Sequence, residues 1–136
     1  MTDVVVDASV WVSRLVDSDV HHARCQTWLE KQASEGGLLV APVLALAEVA
    51  GAISRRTNQP SLAHQAVKIL LALPSLRLVS MDPSLAGLAA KLAGDHALRG
   101  ADAVYAATAS QLGLPLVTLD SEQLQRAQSI VSTSSP

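Results

Sequence analysis

Short aliphatic runs between longer helical patterns constrain this chain more than any other feature. Residues 3–7 read Asp-Val-Val-Val-Asp, 38–40 Leu-Leu-Val, 77–80 Arg-Leu-Val-Ser and 116–119 Leu-Val-Thr-Leu. Each is too short for a stable helix and is rich in residues that suit a buried, pleated strand. Near-continuous aliphatic strands alternating with helices indicate a parallel sheet covered on both faces, an α/β fold.

The intervening segments carry helix punctuation. Ser9 is read as the cap of a short helix to about Val16, and Asp19 as the cap of a second to about Ser34, ended by Gly36-Gly37. Pro42 suits the first turn of a helix reaching about Arg56. Asn58-Gln59-Pro60-Ser61 breaks that helix, and another continues to Leu73, before Pro74. Asp82-Pro83 starts a helix to about Ala93. Gly100 precedes one from about Ala101 to Leu112, which Gly113 ends, and a last short helix covers 121–127. Ile130-Val131 is expected as a short edge strand. Residues 1–131 are expected to form one domain, with 132–136 a frayed tail.

Composition excludes several classes. At 49% hydrophobic and 16% charged residues the chain is not a disordered one. It has no Phe, and only Trp11, Trp28 and Tyr105 supply rings, so a stacking platform for single-stranded bases is not expected. A net charge of −2 is not the footprint of a general nucleic-acid binder. A local basic rim drawn from Arg14, Arg24, Arg55, Arg56 and Arg99 remains compatible with it. Cys25 is the single cysteine, which rules out an internal disulfide, argues against thiolate zinc sites and suits a reducing cytoplasm. No signal peptide or membrane-length apolar run is read.

Four carboxylates occupy special positions. Asp7 and Asp120 end apolar strands, Asp102 opens a helix, and Glu48 sits in an otherwise apolar helical segment. Each has an ordinary explanation. Asp7 and Asp120 are good helix caps, Asp102 suits a first turn, and Glu48 shares a stripe with Ala52 and Arg55 that would face solvent. In open parallel sheets, however, ligands bind beyond the carboxyl ends of the strands, at the switch point. If the first and fourth strands pair, Asp7 and Asp120 become neighbours there, and Glu48 and Asp102 can approach from flanking helices. Acids gathered without matching bases need a cation, so a divalent metal and metal-assisted phosphodiester cleavage are the leading expectation.

The segments VVVDASV, APVLALAEV, RGADAVYAATA and LPLVTLD, in this order and spacing, resemble those of PIN-domain ribonucleases. They are most similar to the VapC-type toxins of toxin–antitoxin pairs. The resemblance spans residues 3 to about 127. It implies a three-layer α/β/α sandwich with a five-stranded parallel sheet of order 3-2-1-4-5. It also implies that Asp7, Glu48, Asp102 and Asp120 are the catalytic, metal-binding acids, with Ser9 and Thr118 as supporting hydroxyls. Mg²⁺ is the implied cofactor, with Mn²⁺ able to substitute. RNA is the implied substrate, and an antitoxin protein and a second copy of the chain are the implied partners.

Adjacent His21 and His22 point about 100° apart on a helix, so a shared metal is not expected. Trp11 and Trp28 read as core or interface residues, and Tyr105 as packing beside the site. Two rival readings stay open: a PIN-like binding or scaffold module without turnover, and a receiver-like phosphoacceptor domain using Asp82 after the third strand. The latter lacks the paired acids and the late Lys such a domain needs.

Overall fold

The structure, a computed structural model, describes residues 2–136. Strand β1 (Val4–Val6) leads into helices α1 (Ala8–Leu15) and α2 (His22–Ser34). Strand β2 (Leu39–Pro42) is followed by α3 (Leu44–Thr57) and α4 (Pro60–Ala72). Strand β3 (Leu76–Val79) precedes α5 (Pro83–His96) and α6 (Gly100–Leu112). Strand β4 (Leu116–Val117), α7 (Ser121–Ala127) and β5 (Thr133–Ser134) complete the fold.

The strands form one parallel sheet of order β3-β2-β1-β4-β5. Val5 is the pivot, paired with Val40 on one side and Leu116 on the other. The chain winds outward from β1 to β3, crosses back to β4 and then winds the other way. Right-handed crossovers therefore put α1–α4 on one face and α5–α7 on the other. The strand order excludes the receiver-like reading, whose sheet runs 2-1-3-4-5. Asp82 instead caps α5, its carboxylate accepting from the Leu85 amide at 2.8 Å.

The core is aliphatic, as a chain without Phe requires. Val4, Val5, Val6, Val10, Val49 and Leu116 are all buried, together with Trp11 and Tyr105. Ala103, Ala106, Ala107 and Ala109 on α6 are buried completely, so that helix packs tightly on β1, β2 and β4. This close approach fixes where the start of α6, and therefore Asp102, sits above the sheet.

Several boundaries differ from the sequence reading. Asp7, not Ser9, caps α1, because its carboxylate reaches the Ser9 amide. His21 rather than Asp19 is the cap position of α2. Asp19 accepts from the His21 amide in the preceding turn. Pro42 ends β2 instead of opening α3. It lies beyond the register that β1 uses, so its missing N–H costs no ladder bond there. α5 runs on to His96, stopped by Ala97 in the left-handed region at φ 54. The fifth strand is Thr133–Ser134, not Ile130-Val131, and residues expected to fray are paired with β4. The Ser132 and Ser134 carbonyls accept from the Leu116 and Thr118 amides. Such backbone pairing leaves no trace in side-chain hydrophobicity.

Gly37 tests the packing of the sheet's amino edge. A Cβ there would fall 2.6 Å from the backbone oxygen of Thr2, a group that cannot rotate away. Gly37→Ala is expected to destabilise the fold by about 1–3 kcal/mol, read as a lower midpoint in urea unfolding. An unchanged midpoint would contradict this packing.

Candidate active site

Asp7 is positioned by β1 and held by β4. Its amide donates to the Val117 carbonyl at 2.9 Å, extending the β1–β4 ladder by one residue beyond the strand. Its Oδ2 accepts from the Ser9 amide at 3.0 Å and from the Thr118 hydroxyl at 3.2 Å. Since Thr118 uses its one proton on Asp7, the Ser9 hydroxyl, 3.3 Å away, donates to Thr118. Ser9 Oγ in turn accepts from the Leu119 amide, and Thr118 Oγ1 from the Asp120 amide, both at 3.1 Å. The two hydroxyls thus form a directional chain that fixes Asp7 Oδ2 and shapes the backbone leading to Asp120.

Asp120 caps α7, its Oδ1 accepting from the Glu122 and Gln123 amides at 2.9 and 3.1 Å. Its Oδ2 meets the Arg99 guanidinium. Asp102 lies in the first turn of α6, and its Oδ2 accepts from Arg99 Nε at 3.0 Å. Glu48 lies on α3 and is half-buried, with Oε1 lacking any hydrogen-bond partner. Tyr105 is fully buried beside it. The charge on Glu48 acts on the phenol, but the two side chains fall short of a hydrogen bond, leaving the phenol oxygen unpartnered.

These side chains line one open cavity of about 750 Å³. Asp7, Glu48, Asp102 and Asp120 supply its acids, while Arg55, Arg56 and Arg99 supply a basic rim. Glu48 does share a stripe with Ala52 and Arg55, but that stripe faces the cavity rather than open solvent. Arg56 is partly engaged by Asp19 at 2.6 Å. Arg14 and Arg24 border other depressions, next to Trp11 and Trp28, and do not join the rim. His22 Nδ1 is 3.0 Å from the Ser13 carbonyl oxygen while His21 lines the cavity, so the pair does not converge on one point.

Burial and repulsion push three carboxyls upward together. Asp7 is raised mainly by burial, opposed by its hydrogen bonds and aided by the charge of Asp120. Glu48 is raised by burial, with Tyr105 and Arg99 opposing and the charges of Asp7 and Asp102 adding to it. Asp102 is raised by burial, with Arg99 opposing and Asp7 and Asp120 adding to it. Burial, followed by the charges of Glu48 and Asp7, pushes the Tyr105 phenol far above its ordinary range.

The donor set suits a hard divalent cation. It consists of carboxylate oxygens with no thiolate, as Mg²⁺ or Mn²⁺ prefers. Among the described residues no three His, Cys, Asp or Glu side chains close into a cage. An ion held here would take one or two of these carboxylates and keep its waters. Glu48, opposed by Tyr105 and Arg99 but with Oε1 outside any close hydrogen bond, can contribute a carboxylate oxygen to such an ion.

Two contributors lay outside the sequence reading of the site. Gln123 is fully buried, and its Nε2 donates to the Asp102 carbonyl at 3.3 Å, tying α7 to the start of α6. Its place three residues after a capping Asp was the available signal. Arg99 reads from sequence as part of a basic rim, not as a clamp on two acids. Its pair with Asp102 has a helical i,i+3 spacing, but no sequence pattern shows its contact with Asp120, 21 residues away.

This fold is that of PIN domains, and the chain belongs to that family: the PIN-domain family pattern matches residues 4–129. Solved structures of similar fold include the VapC20 toxin of Mycobacterium tuberculosis, described as cleaving the sarcin–ricin loop. It has a TM-score of 0.78 at 20% identity, over 90% of this chain and 94% of that one. VapBC2 of Rickettsia felis, bound to a DNA fragment from its promoter, gives 0.76 at 14% identity, over 98% of each chain. PAE2754 of Pyrobaculum aerophilum gives 0.69 at 23% identity, over 97% of this chain and 89% of that one. No curated protein matches the chain in sequence. No described helix is long and apolar enough to cross a membrane.

The raised carboxyls have a consequence for stability. In the unfolded chain they ionise at ordinary values, whereas the folded protein holds their protons to higher pH. Their contribution to stability is therefore full below the ordinary carboxylate range and is lost as pH rises through the raised values. Asp7→Asn keeps the oxygen acceptor and removes the charge. In chelator the variant and wild type are expected to melt alike at about pH 3.5, with the variant melting several degrees higher at pH 7, since 1 kcal/mol moves Tm by roughly 2–8 °C. A Tm difference independent of pH would contradict the burial argument.

Proposed function

We propose that this chain is a divalent-cation-dependent endoribonuclease and the toxin of a toxin–antitoxin pair. The observation that carries this reading is the convergence of Asp7, Glu48, Asp102 and Asp120, from separate elements, on one open cavity at the carboxyl edge of the sheet. Membership of the PIN family and the likeness to VapC structures support it.

The four acids are the residues that would hold Mg²⁺, or Mn²⁺ in its place. A bound cation would neutralise the scissile phosphate and make a water more acidic. The chain's own residues do the positioning. Thr118 and Ser9 lock Asp7 Oδ2, and Oδ1 takes no hydrogen bond from the described residues. Gln123 and the α7 cap hold Asp102 and Asp120 in fixed relation. Arg55, at the rim, is available to attract a phosphate backbone that the acids alone would repel. With few aromatic residues, RNA recognition would rest on shape and backbone contacts more than on stacking.

The partners follow from the same reading. Several structures of similar fold are toxin–antitoxin complexes, among them one from Klebsiella pneumoniae and the DNA-bound VapBC of Salmonella typhimurium. An antitoxin protein and a second copy of the chain are the proposed partners. Exposed apolar side chains at Leu62, Ile69 and Leu71 on α4 suit protein contact. The single buried cysteine, Cys25, suits action in a reducing cytoplasm.

Purified, partner-free protein is expected to cleave RNA with Mg²⁺ or Mn²⁺ and to lose that activity in chelator. Asp7→Asn and Asp102→Asn are each expected to lower cleavage by about 10²-fold or more, the scale of losing one preorganised electrostatic group. Full activity in both variants would sink the assignment. Absence of cleavage by wild type under all metal conditions would favour a binding module instead.

A further inference from the structure

We infer that Arg99 is an internal counter-ion that competes with the divalent cation for Asp102 and Asp120, and that cation entry releases its guanidinium to the cavity rim. The inference rests on the proposed cation site and adds a residue that neither the acids nor the family pattern assigns.

The geometry makes the competition specific. Arg99 Nε bonds Asp102 Oδ2 while another nitrogen of the same guanidinium bonds Asp120 Oδ2. Asp120 Oδ1 is already committed to the two amides that begin α7. Oδ2 is therefore the one oxygen of Asp120 not tied to the backbone, and the guanidinium holds it. A cation reaching that oxygen competes with Arg99 for its charge and repels the guanidinium, which weakens both of its ion pairs.

The surroundings suit a movable arm rather than a fixed strut. The Arg99 side chain is 67% exposed, so the pairs are solvent-screened and individually weak. Gly100, the next residue, has nothing within 4 Å of where a Cβ would stand. Arg99 is also the cap position of α6, and its side chain, bonded to the Asp102 carboxylate, caps none of the helix amides, so releasing it leaves the backbone bonds of α6 intact. A released guanidinium would join Arg55 and Arg56 around the same cavity, where a phosphate backbone would pass. Beside the clamp, Glu48 and the fully buried Tyr105 hydroxyl act on each other, and neither Glu48 Oε1 nor the phenol oxygen has a further partner among the described residues.

Isothermal titration of the metal-free full chain with MnCl₂ tests this without any turnover. Arg99→Gln is expected to bind Mn²⁺ roughly threefold to tenfold more tightly than wild type, the range that two exposed ion pairs can supply. Removing a positive charge anywhere nearby would also favour a cation, so Arg55→Gln is the control. It lines the same cavity without touching Asp102 or Asp120, and it should tighten binding less. In wild type, the ¹⁵Nε–¹H signal of Arg99 should move on adding Mg²⁺ and take on the narrow line of a free side chain. Binding by Arg99→Gln alone, with wild type silent, would also support the clamp. Equal affinity in wild type and Arg99→Gln, or an Arg99 signal unmoved at saturating Mg²⁺, would overturn the inference and leave the cation site standing. Absence of binding in every protein would overturn both.

Discussion

The parallel pairing of β1 with β4 is the constraint on which the rest of the site depends. It joins Val5 to Leu116 and Val6 to Val117, segments far apart in sequence, at the point where the winding of the sheet reverses. The same ladder continues through the Asp7 amide to the Val117 carbonyl, so the carboxylate leaves the core at a fixed height. Thr118, one residue beyond β4, then reaches Asp7, and its neighbour Asp120 opens α7. A one-residue slip would carry Asp7 away from Thr118 and draw Asp3 or Asp7 into the apolar ladder. The cost of burying either carboxylate there opposes the slip and holds the acid chemistry in register.

The site sets burial against charge. Asp7 is 6% exposed, a poor place for an unpaired carboxylate, yet its hydrogen bonds satisfy only one of its two oxygens. Capping and cation binding are therefore not alternatives for these residues. Asp7 caps α1 through Oδ2 and keeps Oδ1, while Asp120 caps α7 through Oδ1 and keeps Oδ2. Each carboxylate is oriented by one oxygen and leaves the other to face the cavity. Arg99 partly balances the charge at the exposed side and also acts on Glu48, where Tyr105 joins it.

Much of this was legible in the sequence, for identifiable reasons. The aliphatic runs specified a parallel α/β sheet because buried strands need apolar residues on both faces, and the motif order matched the PIN family's strand order. The positions of the four acids followed once that order was given. Glu48 was the hardest to place, since its stripe with Ala52 and Arg55 reads equally as a solvent face. Only the packing of α3 and α6 over the strand ends decides which it is. Three features had no side-chain signature strong enough to read: β5 at Thr133–Ser134, held by backbone bonds; Pro42 at the end of β2 rather than the start of α3; and the link from Gln123 to Asp102. The Arg99 clamp depends on two loops meeting, which no local pattern encodes.

The account stands on the acids forming one cation site, and anomalous diffraction from crystals of the protein grown with Mn²⁺ tests that most directly. A manganese peak is expected in the cavity, contacted by carboxylate oxygens from the set Asp7, Glu48, Asp102 and Asp120. Saturating Mn²⁺ with no anomalous density among these four residues, or with the ion bound elsewhere, would contradict it.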